Sequence, residues 1–104
     1  MEQGHYYAIL YAPGSGWSPG RPWFEQDLRA HHDYLRQLFH EKKVTMAGPF
    51  NDHSGGQAIV RVGNADEAWT IARHDPAVID GVFTVQVRPW QAEHWLQPPE
   101  PAKD

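Results

Sequence analysis

The sequence predicts a single α+β domain whose four strands and two helices follow the order β-α-β-β-α-β. Three observations lead to this prediction. Short β-branched and aromatic runs occur four times, two stretches have helical apolar spacing, and turns rich in Gly and Pro separate them. The chain has 104 residues, which is the usual length of one domain. We assign residues 1–96 to this domain and the Pro-rich residues 97–104 to a flexible tail.

The first strand is predicted at residues 6–12, an aromatic and β-branched run that ends at Pro13 and Gly14. The loop at residues 13–22 contains three Gly and three Pro. It is longer than most connections, which favours a position beside a site. Residues 23–43 lack Gly and Pro and have helical apolar spacing, so we predict the first helix there. Its expected apolar face consists of Phe24, Leu28, Leu35, Leu38 and Phe39.

The second half of the chain completes the pattern. Residues 44–50 and 58–62 are predicted as the second and third strands, joined by a Gly-rich turn. Asn64 is predicted to cap the second helix, which has to end before Pro76. The fourth strand is predicted at residues 82–88, where apolar and polar residues alternate. This order is that of the ferredoxin-like fold, a four-stranded antiparallel sheet with two helices on one face.

The second face of this sheet predicts a partner. Two helices cover only one face, while the first strand is apolar at almost every position. An exposed apolar patch of that size usually contacts another molecule. We therefore expect a homodimer joined through the open face of the sheet.

Composition excludes several classes of protein and site. Nine Lys and Arg against thirteen Asp and Glu give a net charge of −4, which argues against a nucleic-acid surface. The absence of Cys excludes disulfides, thiolate metal sites and a cysteine nucleophile. No apolar run approaches a membrane span, and the first residues lack the basic start of a signal peptide. We expect a cytoplasmic protein that binds neither membrane nor nucleic acid.

Short motifs in a fixed order add a resemblance to a known family. They are His31-x-x-Tyr34-Leu35-x-x-Leu38, Ala47-Gly48-Pro49-Phe50, Gly55-Gly56, Ala68 to Ala72, Asp75-Pro76, Gly81-Val82-Phe83 and Val87-Arg88-Pro89-Trp90. Over about residues 6–90, the chain resembles the YciI-like family. The resemblance implies a ferredoxin-like homodimer of the dimeric α/β-barrel type. It also implies that the functional His and Asp of the family fall on His31 and Asp75. One branch of that family removes chloride from a chlorinated hydroxyquinol.

His31 also has an argument of its own. On a helical wheel it lies about 35° from the centre of the apolar stripe, against about 65° for His32, so it points towards the sheet. An imidazole titrates near neutral pH and can act as a general acid or base. A core histidine held by one hydrogen bond would occupy the same position, and both readings stay open.

Asp75 follows the predicted second helix and precedes Pro76. Its carboxylate can orient an imidazole and raise the basicity of the far ring nitrogen. In the alternative reading Asp75 forms an ordinary Asp-Pro turn and bonds its own backbone. Asp27, one helical turn before His31, is a competing partner for the ring.

Aromatic residues predict an apolar cleft for a small cyclic ligand beside His31. The candidate ligand-binding residues are Tyr7, Tyr11, Trp17, Trp23, Gly48, Phe50 and Arg88. Arg21 and Arg88 can pair with a carboxylate or phenolate, and in the alternative reading each is a solvated surface residue. Backbone amides near Gly48 can stabilise an oxyanion. In the alternative reading the aromatic residues fill the core and the dimer interface.

We expect neither a metal nor another cofactor. The seven His residues form no HxxxH or HExxH motif, and no phosphate-binding glycine loop is present. The favoured function is a small cofactor-independent enzyme, of isomerase or lyase type. It would use His31 and Asp75 for proton transfer on a cyclic or aromatic oxygenated compound. The alternative is a non-catalytic, metabolite-binding homodimer.

Overall fold

A computed structural model describes residues 4–93 of the chain. The strands are β1 (His5–Pro13), β2 (Val44–Pro49), β3 (Gly56–Val62) and β4 (Phe83–Trp90). The helices are α1 (Arg29–His40), α2 (Ala65–Arg73) and α3 (Pro76–Ile79), with one 3-10 turn at Trp23–Glu25. None of the helices in this part of the chain is long and apolar enough to cross a membrane. The predicted tail at residues 97–104 lies outside the described residues, and the domain bounds 1–96 stay a prediction.

The four strands form one antiparallel sheet in the order β2-β3-β1-β4, so the predicted ferredoxin-like fold is confirmed. β1 occupies the centre because it pairs with β3 on one side and with β4 on the other. Tyr7, for example, lies between Val60 and Pro89. Pro89 cannot donate to a ladder, and its position in an edge strand avoids that loss.

The core lies between the sheet and the helices. Along β1, Tyr7, Ile9 and Tyr11 are buried, whereas the residues between them are only half-buried. The rings of Tyr11 and His31 are 5.0 Å apart, which places α1 on this face. The same alternation in β4 directs Phe83 into the core. Period-two alternation on neighbouring strands therefore produces one buried face and one open face.

The first helix begins later than predicted. The chain makes a 3-10 turn at Trp23–Glu25, and α1 starts only at Arg29. Gln26 explains why α1 starts late, because its buried side chain forms hydrogen bonds with the preceding loop. Its Nε2 donates to the carbonyls of Ser18 and Arg21 at 3.0 Å each, and its Oε1 accepts from Ser18 N at 2.8 Å.

The delayed start of α1 changes the predicted apolar face of the first helix. Phe24 belongs to the 3-10 turn and is 63% exposed, and Phe39 is also exposed. Leu28, Leu35 and Leu38 are buried as predicted. A segment without Gly or Pro is therefore only partly helical here, because a side-chain amide ties its beginning to the loop.

The second helix is capped as predicted. Asn64 Oδ1 accepts from Glu67 N at 2.9 Å, and Glu67 Oε1 accepts from Gly63 N at 3.1 Å. These bonds satisfy backbone donors at the start of α2. The short helix α3 was not predicted. It begins at Pro76, whose fixed φ and missing N–H suit the first position of a helix.

The open face of the sheet carries an apolar stripe with a polar border. Its apolar side chains are Tyr6, Ala8, Leu10, Met46, Ile59 and Trp90. A register shift between Val44 and Met46 turns Met46, which is 68% exposed, onto this face. The rings of Tyr6 and Trp90 meet edge to face at 6.2 Å. The stripe has the character of a surface for a partner.

We expect the protein to be a homodimer that buries this stripe, with an interface of about 1,600 Å² or more. Light scattering at micromolar concentration should give twice the chain mass of 11.9 kDa. Leu10→Lys places a charge in the stripe and should shift the protein towards the monomer. Ile79→Lys is the control because Ile79 is also apolar and accessible to solvent but belongs to α3. A monomeric mass for the unaltered chain would contradict the expectation.

Candidate active site

A buried hydrogen bond joins the two predicted site residues. His31 Nδ1 and Asp75 Oδ2 are 2.6 Å apart, and their side chains are 8% and 0% exposed. His31 lies in the first turn of α1, and Asp75 lies between α2 and α3. The competing candidate, Asp27, is exposed, and the structure pairs the imidazole with Asp75 instead.

Asp75 performs both tasks that the sequence offered as alternatives. One carboxylate oxygen contacts His31, while the other, Oδ1, accepts from Ala77 N at 2.9 Å and caps α3. A fully buried carboxylate is costly unless each oxygen has a partner. The turn therefore fixes the carboxylate, and the carboxylate fixes the ring.

The contact also determines the tautomer of His31. An ionised carboxylate only accepts hydrogen bonds, so the hydrogen between the two groups belongs to Nδ1. In the neutral ring, Nε2 then carries a lone pair. Within residues 4–93 nothing bonds Nε2, which leaves this nitrogen for a ligand.

The imidazole lies at a cavity of about 220 Å³. One side of the cavity is formed by Leu28, directly before α1, and by His31, His32, Leu35 and Arg36 of α1. The sheet contributes Tyr11 and Phe83, and the 3-10 turn contributes Trp23. The ends of β2 and β3 and the turn between them contribute Ala47, Gly48, Pro49, Gly55, Gly56 and Gln57. The lining is mainly apolar. An apolar protein cavity of roughly 150 Å³ holds benzene, so this cavity suits one substituted six-membered ring.

Aromatic contacts hold the imidazole in place. The ring centroid of His31 lies 5.0 Å from that of Tyr11, 5.3 Å from that of Phe83 and 5.6 Å from that of His32. Rings at these separations pack closely and leave little rotational freedom. Nε2 consequently has a defined direction before any ligand arrives.

Gly55 allows the β2–β3 end to approach the cavity. Its φ of +133° is accessible to glycine, and a Cβ at this position would overlap the carbonyl oxygen of Tyr11. The sequence marked Gly55 and Gly56 as a turn. Their further effect is to bring the turn against β1, beside the rings that line the cavity.

The structure brings three of the predicted ligand-binding residues to the cavity together with His31. Tyr11 contributes to the sheet side, Trp23 comes from the 3-10 turn, and Gly48 comes from β2. The ring of Trp23 also lies 6.3 Å from that of His32, edge to face.

The other four predicted residues lie elsewhere. Tyr7 is buried in the core, and Trp17 packs on Phe83 with 5.6 Å between the rings. Phe50 follows β2 and borders a different groove. Arg88 is exposed opposite Ala8 on the open face of the sheet.

Arg36 and Gln57 line the cavity but were not among the predicted residues. The helical wheel contains a signal for Arg36, which lies four residues after His32 and therefore on the same side of α1. Arg21, the alternative anion partner from the sequence, instead pairs with Glu25 at 3.4 Å on the surface. Gln57 has no comparable signal because its position depends on strand register.

Burial alters two titratable groups beside His31. It lowers the pKa of His32, and the charge of neighbouring His31 lowers it further. It also raises the pKa of the Tyr11 phenol, with Asp75 adding to the effect. The Tyr11 hydroxyl is buried without a hydrogen-bond partner in the described chain. Among residues 4–93, no group of three or more His, Asp or Glu could hold a metal ion.

Comparison with known proteins identifies the family. Residues 23–91 match the model of the YCII-related domain, so the chain belongs to the YCII-related family. An uncharacterised protein of Bacillus subtilis (strain 168), YjpA, is 30% identical over 67 residues, which span 64% of this chain and 79% of YjpA.

One solved structure shares the fold. It is 5-chloro-2-hydroxyhydroquinone dehydrochlorinase (TftG) from Burkholderia phenoliruptrix AC1100, in complex with 2,5-dihydroxybenzoquinone. The match has a TM-score of 0.62 and 23% identity, and it covers 84% of this chain and 95% of TftG. The family and the fold expected from the sequence motifs are thus both confirmed.

Removing the Asp75 carboxylate should destabilise the protein more than removing an ordinary helix cap. Asp75→Ala loses the cap and the bond to His31, so we expect the free energy of unfolding to fall by about 2–4 kcal/mol. Asn64→Ala is the control because it removes only a cap, worth about 1 kcal/mol. The loss of unfolding free energy in Asp75→Asn should lie between those of the two alanine variants, since its amide oxygen can still accept from Ala77 N. Urea unfolding that gives equal losses for the two alanine variants would contradict this.

The Tyr11 hydroxyl should contribute nothing to stability. Because it is buried without a partner, Tyr11→Phe should leave the free energy of unfolding unchanged or raise it by up to about 1 kcal/mol. Tyr34→Phe is the matched control: its hydroxyl donates to the Ile71 carbonyl at 2.7 Å, so its removal should cost about 1 kcal/mol. A clear loss in Tyr11→Phe, measured by the same unfolding, would show that the hydroxyl has a partner.

Proposed function

We propose that the chain is a small cofactor-independent enzyme that moves a proton on a single-ring, oxygenated compound. His31 is the group that exchanges the proton, and Asp75 positions it. The observation that carries the proposal is the 2.6 Å contact between the two residues at the wall of a ring-sized cavity.

The pair has the arrangement of a general base with its orienting group. Asp75 holds the hydrogen on Nδ1, so the lone pair of Nε2 is available to a proton of the ligand. When Nε2 takes that proton, the ring becomes an imidazolium, and the adjacent carboxylate stabilises the new charge.

Two reaction classes fit this exchange. In an isomerisation, Nε2 removes a proton from a ring carbon, the electron pair shifts towards an oxygen, and the same proton returns to another carbon. In an elimination, the electron pair from the broken C–H or O–H bond expels a leaving group, which departs with its own bonding pair. In the isomerisation the imidazolium acts as the acid that returns the proton, whereas in the elimination it releases the proton to water and the base is regenerated.

The family supports a ring compound as ligand. TftG is by its name a dehydrochlorinase of a chlorinated hydroxyhydroquinone, and its structure contains a substituted quinone. At 23% identity this likeness establishes the fold. The chemistry of TftG supports a ring-shaped, oxygen-bearing ligand for this chain. The size and the apolar lining of the cavity favour such a ligand independently.

A metabolite-binding protein without catalysis is the second candidate. The observation in its favour is the low exposure of the His31 side chain, 8%, which leaves a narrow approach to Nε2. In that case the pair would hold a ligand through a hydrogen bond and transfer no proton.

A ligand screen followed by kinetics separates the two candidates. Cyclic enols, lactones and hydroxyquinols are tested for thermal stabilisation, because a ligand of the folded state raises the melting temperature. Each stabilising compound is then incubated with the protein, and its conversion is followed by absorbance and mass spectrometry. Binding without conversion of any compound would favour the second candidate.

His31→Ala should lower turnover of a converted compound by about 10²–10⁴-fold, the usual contribution of a positioned acid or base. Asp75→Asn should cause an intermediate to severe loss of turnover, because an amide can hold the ring but does not stabilise an imidazolium as a carboxylate does. His32→Ala should lower turnover by less than about tenfold. His40→Ala, at the exposed end of α1, is the control for loss of a histidine. A folded His31→Ala variant with normal turnover would refute the assignment.

A further inference from the structure

The mouth of the cavity, where the exposed residues of α1 form its lining, has two basic side chains and no acidic one among its described lining residues. His32 and Arg36 are four residues apart on α1, so both project from the same side of the helix into the lining. None of the lining residues, which all belong to the described part of the chain, is Asp or Glu. Asp75 lies behind the imidazole and is fully buried, so its charge is not presented to a ligand.

The present partner of Arg36 can be exchanged. Its Nη1 donates to Asp33 at 3.1 Å, with the two side chains 65% and 64% exposed. Surface pairs of this kind contribute little to stability, so the guanidinium can turn to a ligand at little cost. Within residues 4–93 the remaining guanidinium donors have no acceptor. Arginine presents these donors in a planar fork that matches carboxylate-like oxygens.

The other cationic group at the mouth is not permanently charged. Burial and the neighbouring His31 lower the pKa of His32, which favours its neutral ring, whereas a guanidinium keeps its charge. Arg36 consequently supplies the positive charge. The chain as a whole carries −4, so an anion that enters the cavity depends on this local charge. The apolar walls, including Leu35 and Phe83, strengthen the attraction because they exclude water.

The spacing along α1 suits one ring. Arg36 lies five residues beyond His31, about 7.5 Å along the helix axis at 1.5 Å per residue. A six-membered ring with one oxygen substituent and its hydrogen bond covers a similar length. Because both residues line the same cavity, one ring can present an oxyanion to Arg36 and another of its edges to His31.

We infer that Arg36 selects an anionic ligand for this cavity, a single ring that carries an enolate, phenolate or carboxylate oxygen. The inference rests on the proposed function for the location of the site and adds the charge of the substrate. Arg36 is in this view a specificity-determining residue, and His31 remains the proton-exchanging group.

Pairs of probes with similar size and shape, one anionic and one neutral, test this inference. One pair is 4-hydroxybenzoate with 4-hydroxybenzamide, and the other is cyclohexane-1,3-dione, an enolate at neutral pH, with its neutral enol ether 3-methoxycyclohex-2-enone. Calorimetric titration measures the dissociation constants for the unaltered protein and for Arg36→Met, Arg36→Lys and Arg21→Met. Arg21 is the matched control because it is also exposed and paired with a carboxylate but lies outside the cavity.

The unaltered protein should bind at least one anion about tenfold or more tightly than its neutral counterpart. Arg36→Met should abolish that preference by weakening anion binding much more than binding of the neutral probe. Arg36→Lys should keep part of the preference, and Arg21→Met should keep all of it. Added salt should weaken anion binding in the unaltered protein but not in Arg36→Met. Circular dichroism checks that each variant is folded.

The inference is overturned if neither anion is preferred, or if Arg36→Met retains the preference. Failure of the proposed function appears differently. It would leave charge selectivity dependent on Arg36 while His31→Ala converts a substrate normally. The two failures are therefore distinguishable from the same set of variants.

Discussion

The hydrogen bond between His31 Nδ1 and Asp75 Oδ2 joins two segments that are 44 residues apart in the chain. One segment is the first turn of α1, and the other is the turn between α2 and α3. A carboxylate in a water-free environment needs a partner for each oxygen, and these two segments supply one partner each. The position of the imidazole, the start of α3 and the packing of α1 near α3 are thus linked by a single buried group.

Much of the fold could be predicted because its signals are local. Asn64 and Pro76 bracket the second helix, and the alternation around Phe83 gives the core face of β4. The start of α1 could not be predicted, because it depends on the contacts that Gln26 makes with a loop eight residues earlier. The helix α3 is too short for any periodicity to reveal it.

The site was predictable only in part for a similar reason. His31 and Asp75 stand out by residue type and by their positions relative to the predicted helices, and the structure places them in contact. Trp17 and Phe50 lie in the loops after β1 and β2, outside the cavity, because aromatic character does not determine where a loop places a side chain. Gln57 reaches the cavity through the pairing of β2 with β3, a relation that no local pattern specifies.

The cavity divides its lining between two kinds of structural element. His31 belongs to a helix and is fastened by a buried bond, whereas Ala47, Gly48 and Pro49 belong to an edge strand whose register is already irregular near Met46. Edge strands accept bulges and substitutions that central elements do not. Substitutions in β2 can therefore alter the wall of the cavity and leave the buried pair of His31 and Asp75 in place.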